Sequence, residues 1–178
     1  TFVQGSLQDY DTVMQFGATC DVLTIEIEHV NTRALYDLQA KGVIVHPEPK
    51  ALEMIQDKGL QKCFFQAHDL PTAAFTLYDT KEEILVAIEQ GKLQYPFVQK
   101  SRKGGYDGKG VQVIRHAGEL NRLMDTPSVV EDCIAVKEEL AVVACRNADG
   151  QVRCYDAVRM DFVEGANLLD VLEFPAPV

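Results

Sequence analysis

Apolar and polar positions along the chain follow two alternating periods. Asp21 to Glu28, reading DVLTIEIE, changes sign at nearly every residue from Leu23 onward and predicts a strand. The next stretch, NTRALYDLQAKG, offers Asn31 or Thr32 as a helix cap and Gly42 as a stop. VIVHP then reads as a short apolar strand ending at a proline. From Pro49, the residues Leu52, Ile55, Leu60, Phe64 and Phe65 recur near helical spacing, and Gly59 leaves open one helix or two with a break. Further on, AAFTLY predicts a strand, TKEEILVAIEQG a helix and YPFVQK a strand. Beyond a glycine-rich stretch come the alternating strand VQVIR, a helix around AGELNRLMD, and strands at SVVEDCI, ELAVVACR and VRCYDAV. Strand, helix and strand in repeated order predict an α/β or α+β layered architecture.

Length and composition narrow the function classes. A chain of 178 residues buries about 70% of its unfolded surface, enough for one core or a core with a small satellite. No apolar run approaches the roughly 20 residues that span a bilayer, which argues against a membrane protein. TFVQGSLQDYD at the N-terminus has neither the basic nor the apolar region of a secretion signal, so the cytosol is the expected compartment. A net charge of -10 repels a phosphate backbone over any broad surface, and no nucleic-acid partner is expected. The five cysteines, Cys20, Cys63, Cys133, Cys145 and Cys154, form no CxxC and are expected to be small, mostly buried thiols.

Candidate chemistry concentrates between Val98 and Arg115, VQKSRKGGYDGKGVQVIR. Glycines at 104, 105, 108 and 110 let backbone N–H groups approach an anion, and Lys100, Arg102, Lys103 and Lys109 bring positive charge into an acidic chain. The pattern fails as a P-loop, because Lys109 is followed by Gly110 and a strand stands where a helix should start. Strand, glycine loop and strand instead predict a flap that closes over phosphates from above; an ordinary long hairpin is the competing reading. Downstream, VVEDCIAVKEELAVV puts Glu131 at the end of one apolar run and Glu139 at the start of another. Such a segment can offer backbone groups to an adenine edge and a carboxylate to ribose hydroxyls.

With DVLTIEIEHVNTRAL, PEPKALEMIQDKGLQK, KGGYDGKGVQV and VVEDCIAVKEELAVVACRNADG together, nearly the whole chain resembles the ATP-grasp ligases that carboxylate aminoimidazole ribonucleotide. That resemblance implies an ATP-grasp fold fragment: the end of a Rossmann-like pre-ATP-grasp domain (1–52), helices leading into the grasp (53–71), a small α/β lid (72–130) and the incomplete start of a C-terminal ATP-grasp subdomain (131–178). It further implies that Lys58 and Lys100 reach the ATP phosphates. Gly105, Tyr106, Asp107, Gly108, Lys109, Gly110 and Val111 would form the lid loop. Glu131, Asp132, Cys133 and Ile134 would be the adenine hinge, and Glu139 would hold the ribose. Tyr106 and Asp107 are the candidate catalytic residues, and Glu26 is a candidate substrate contact that otherwise anchors a strand end.

The chemistry implied is phosphoryl activation of bicarbonate to carboxyphosphate, followed by carboxylation of the ribonucleotide amine. ATP and Mg2+ are the implied cofactors, and a homodimer the implied assembly. Positioning and neutralisation of charge would dominate over acid–base work. The family normally opens with a Gly-rich strand-turn-helix and closes with acidic and asparagine magnesium ligands. Neither is present here, so the resemblance implies a chain truncated at both ends and inactive by itself. Asp156 stands where many relatives have proline, and Arg159-Met160 where many have glutamate or histidine followed by asparagine, so no substrate contact is assigned there. A different ATP-grasp carboxylate-amine ligase and a non-catalytic nucleotide-binding module stand as alternatives.

Overall fold

The computed structural model describes residues 2–105, 110–163 and 168–177. Elements follow in the order α1 (Tyr10–Gly17), β1 (Val22–Thr24), α2 (Thr32–Ala40), β2 (Ile44–His46), α3 (Pro49–Gln56), α4 (Lys58–Ala67), β3 (Phe75–Tyr78), α5 (Lys81–Glu89), β4 (Phe97–Ser101), β5 (Val111–Ile114) and a 3-10 turn at Ala117–Arg122. After these come β6 (Ser128–Asp132), β7 (Glu139–Ala141), β8 (Ala144–Arg146), β9 (Val152–Cys154), β10 (Val158–Phe162) and β11 (Leu169–Glu173).

In the N-terminal part, β1 and β2 pair in parallel through the crossover helix α2. Asn31 caps α2 by accepting from the Ala34 N–H at 3.0 Å, and Gly42 ends the turn with φ +93°, a conformation that disfavours any residue with a Cβ. Leu35 and Leu38 are fully buried against Val13, Leu23, Val45 and Leu52. Each contributes about 1.5–3 kcal/mol through burial. The helix α1 was not anticipated from the pattern, although Asp9 caps it through the Thr12 N–H at 2.8 Å. β1 is shorter than the DVLTIEIE alternation suggests: it pairs only with the three residues of β2, and the chain bends after Thr24.

The second core lies under a four-stranded antiparallel sheet in the order β3-β6-β4-β5. Phe97, Ile114 and Val130 point to one face of it, where they meet Ile84 of α5 together with Leu120 and Leu123. Thr80 caps α5 by accepting from the Glu83 N–H at 3.3 Å. Gln99 points to the same face and is fully buried. Its amide donates to the Met124 carbonyl at 2.8 Å and to Ser128 Oγ at 2.9 Å, and its oxygen accepts from the Met124 N–H at 2.9 Å. β6 lies inside this sheet, so Glu131 and Asp132 belong to it by hydrogen bonding.

Beyond residue 138, β7, β10 and β11 form a three-stranded antiparallel sheet, and β8 and β9 an isolated ribbon. The run ELAVVACR therefore makes two strands rather than one. Helix is also absent around AGELNRLMD, where a 3-10 turn capped by His116 stands instead. The cysteines depart from expectation as well. Cys63, Cys133, Cys145 and Cys154 are exposed, and only Cys20 is half-buried. Cys145 and Cys154 lie on the ribbon β8–β9, all of whose residues are exposed.

Candidate nucleotide-binding site

Alternation along β4 sends Phe97, Gln99 and Ser101 toward the helices and leaves Val98 and Lys100 on the opposite face. Directly opposed residues share a face in an antiparallel pair, so register decides what joins Lys100 there. Lys100 faces Val129 of β6 and Val111 of β5, while Glu131 sits between Val98 of β4 and Phe75 of β3. Helix α4 approaches this face and adds Lys62. Its Nζ lies 2.6 Å from Glu131 Oε2, and the Lys100 ammonium takes Oε1. Burial pushes the Glu131 carboxyl up, but the hydrogen bonds from Lys100 and Lys62 outweigh it and hold the group below the ordinary value.

A second cluster forms where α3 gives way to α4. Asp57 caps α4, its Oδ1 accepting from the N–H groups of Gly59 at 2.8 Å and Leu60 at 3.2 Å. Arg102, just beyond β4, lays Nε and Nη2 on the same carboxylate, each at 2.9 Å. Burial raises the Asp57 carboxyl, and the Arg102 hydrogen bonds and the cap bonds more than reverse this, leaving it below its ordinary value. The Lys58 N–H donates to the Arg102 carbonyl at 2.9 Å, and Lys58 Nζ to the Gly105 carbonyl at 3.4 Å. The loop that leaves β4 is thus tied to the start of α4.

Gly105 and Gly110 meet at the neck of that loop. Gly110 has φ +78°, and a Cβ on it would lie 3.0 Å from Ser101 Oγ and 3.2 Å from Gly105 Cα. The Ser101 N–H donates to the Gly110 carbonyl at 2.8 Å, closing the neck. Lys58, Lys100, Gly105, Gly110, Val111 and Glu131 are thereby gathered by α4, β4, β5 and β6. Tyr106, Asp107, Gly108 and Lys109 lie outside the described residues. Asp132 ends β6 on the face opposite Glu131, and Cys133 and Ile134 follow it exposed. Glu139 is exposed in β7, opposite Met160 of β10, in the separate three-stranded sheet. Glu26 is exposed just past β1 and lines an apolar pocket of about 280 Å³ with Leu7, Phe16 and Ile27.

Sequence reasoning missed Lys62 and the role of Asp57. Both left a signal: Lys62 is four residues after Lys58, hence on the same helix face, and Asp57 directly precedes a helical run. Two lysines about one buried carboxylate, with Lys58 at the loop neck, make a local positive field in a chain of net charge -10. Such a field is of the sign that attracts a polyphosphate anion. Among the described residues no group of three or more His, Cys, Asp and Glu side chains is placed to hold a metal ion. Nor is any helix among them long and apolar enough to cross a membrane.

The chain is similar to known proteins. The family model for the ribonucleotide synthetase preATP-grasp domain matches residues 1–56, and that for the ATP-grasp domain matches residues 63–171. The phosphoribosylaminoimidazole carboxylase of Ogataea methanolica is 33% identical over 99% of this chain and 33% of its own length. A crystal structure of carboxyaminoimidazole ribonucleotide synthase from Aspergillus clavatus, complexed with ATP, is 32% identical over 98% of this chain and 46% of that one, with a TM-score of 0.85. A second from Aspergillus clavatus, N5-carboxyaminoimidazole synthase in complex with ADP and 5-aminoimidazole ribonucleotide, covers 94% of this chain and 43% of that one at 29% identity and TM-score 0.80. The chain spans about a third of the length of the curated relatives it matches. The glycine loop, Lys100 and the buried Glu131 thus sit in a region, residues 63–171, that covers more than half of the chain, and the chain belongs to the ATP-grasp family.

Proposed function

We propose that this chain is the nucleotide-binding part of an ATP-dependent ligase that carboxylates 5-aminoimidazole ribonucleotide with bicarbonate, forming N5-carboxyaminoimidazole ribonucleotide in purine synthesis. The observation that carries the reading is that Lys100, paired with Glu131 on one sheet face, lies near the end of the strand from which the glycine loop leaves, with Lys58 donating to Gly105 in that loop. The names of the similar proteins support the choice of substrates.

ATP, when bound, supplies the phosphoryl group that activates bicarbonate as carboxyphosphate. Lys100 and Lys58 neutralise charge on the phosphates, each charge-assisted contact contributing about 1.5–3 kcal/mol. The segment 131–134 receives the adenine edge and Glu139 the ribose; the lid-loop role falls to the segment 105–111, in which Tyr106 and Asp107 are the candidate catalytic residues. Glu26 belongs to the acceptor side. Mg2+ is the family's usual companion of ATP, and the carboxylates among the described residues do not fit a site for it. The domain division at 52, 71 and 130, a cytosolic location and a homodimer belong to the same reading.

The test is ADP release by the complete gene product, with bicarbonate and 5-aminoimidazole ribonucleotide omitted in turn. Turnover should need both. Lys100→Ala should lower kcat/KM for ATP at least about tenfold. Release that ignores the ribonucleotide would reject the substrate assignment, and an unchanged kcat/KM in the variant would remove Lys100 from the site.

A further inference from the structure

Lys62 and Lys100 hold the same carboxylate but are not equivalent. Lys62 is the more enclosed: its side chain is 13% exposed against 33% for Lys100. Its ammonium has three polar neighbours. Besides its ion pair with Glu131 Oε2, Lys62 donates to Thr72 Oγ1 at 2.6 Å and to the Ala73 carbonyl at 3.4 Å, and its Nζ lies 5.7 Å from the centre of the Phe75 ring. Lys100, among the described residues, has Glu131 as its recorded polar partner. One lysine is held by two hydrogen bonds and an ion pair, and the other, at the more open position, by an ion pair with Glu131.

We propose that Lys62 is a positioning residue that keeps Glu131 permanently paired, so that Lys100 can pass to an anionic ligand without leaving a buried carboxylate uncompensated. The inference rests on the nucleotide reading above and adds to it a residue that never touches the nucleotide. Its physical basis is the asymmetry of buried ion pairs. Removing one partner leaves a charge stranded in a poorly solvated place, which costs far more than the pair itself contributes. With Glu131 alone on β6, every transfer of Lys100 to phosphate would strand it next to an incoming anion. With Lys62 anchored by Thr72 and Ala73, the transfer breaks one contact of Glu131 and leaves the other. The charged groups facing Glu131 are Lys62 from α4 and Lys100 from β4, and β3 presents the uncharged Phe75.

The consequence can be read in the pH dependence of nucleotide affinity. In Lys62→Met the burial of Glu131 persists while one cation is gone, so its carboxyl titrates at higher pH than in the parent. Above that pH the charged Glu131 grips Lys100 alone, and as pH falls through it the protonated group releases Lys100. Titration of the chain with a fluorescent N-methylanthraniloyl ATP between pH 5.5 and 8 gives the ratio of variant to parent Kd, in which the titration of the ligand itself cancels. We expect the Lys62→Met ratio to be about tenfold at pH 8 and to decrease as pH falls. Lys62→Arg should restore a ratio near one throughout. The double variant Lys62→Met with Glu131→Gln, which strands no charge and so guards against loss of folding, should show a ratio independent of pH. A ratio for Lys62→Met that is flat with pH, with only a lowered melting temperature, would make Lys62 a structural lysine and overturn the inference, as would a double variant that keeps the pH dependence. Absence of binding by the parent at every pH would instead overturn the nucleotide reading itself, and is seen in a different arm of the experiment.

Discussion

Arg102 grips the carboxylate of Asp57 with two donors, Nε on Oδ1 and Nη2 on Oδ2, each at 2.9 Å. The pair joins the N-terminus of α4 to the exit of β4, residues 45 apart in the chain. Asp57 is nearly enclosed, with 4% of its side chain exposed, and Lys103 approaches it only to 3.9 Å. Arg102→Met should therefore cost roughly 3 kcal/mol of unfolding free energy in urea, because it leaves a buried charge with only its cap bonds. Combined with Asp57→Asn, the loss should be smaller than the sum of the two single losses. Strict additivity would mean that the two side chains are not energetically coupled.

Gly59, the second residue of α4, inverts the usual effect of a helical glycine. Replacing glycine by alanine inside a helix ordinarily stabilises by about 0.5–1 kcal/mol. Here the new Cβ would fall 2.6 Å from Arg102 Nε and 3.0 Å from Asp57 Oδ1. Arg102 would have to leave its bidentate seat to make room. Gly59→Ala should melt below the parent by calorimetry, and a higher melting temperature would show that the guanidinium moves aside freely.

Gln99 satisfies both backbone polar groups of Met124 from inside the second core. Leucine has nearly the same volume but no polar atom. Gln99→Leu should lose about 2 kcal/mol or more in urea denaturation, since the Met124 N–H and carbonyl are left without that partner. Stability equal to the parent would indicate that water or a shifted strand replaces the amide.

Acid should expose the two buried carboxylates together. Asp57 and Glu131 are both depressed below their ordinary values of 3.8 and 4.5. A depressed group binds more protons unfolded than folded, so its stabilisation is complete above the ordinary value and is lost as pH falls through the folded one. Unfolding free energy should hold steady from neutral pH down to about 5 and fall steeply below about 4. The double variant Asp57→Asn with Glu131→Gln should show a shallower fall over the same range, and an unchanged profile would assign the acid transition to other groups.

Local patterns carried the elements well where propensity, cap and period agreed. The cap at Asn31, one of the two offered before α2, the helix at TKEEILVAIEQG and the strand at YPFVQK are written in consecutive residues, and each formed. Patterns failed where an element depended on a distant partner. The alternation from Leu23 to Glu28 persists past the end of β1, because strand length is set by the three residues of β2 available to pair. Cysteine burial was misjudged for a related reason: residue type sets a preference for the interior, but exposure at Cys145 and Cys154 follows from what covers the ribbon β8–β9.

The candidate site divides along the same line. Residue types alone determined that an acidic chain concentrates glycine and positive charge between Lys100 and Gly110, because backbone freedom and charge are properties of single residues. Register and packing decided where the cations turn. Arg102 and Lys103 turn to Asp57, Lys58 turns to the loop neck, and Lys100 shares Glu131 with Lys62 from another element. A buried carboxylate takes its partners through space, over 31 residues of chain to Lys100 and 69 to Lys62, counted from their positions. Only the folded sheet and the helix laid against it bring those three groups to one point.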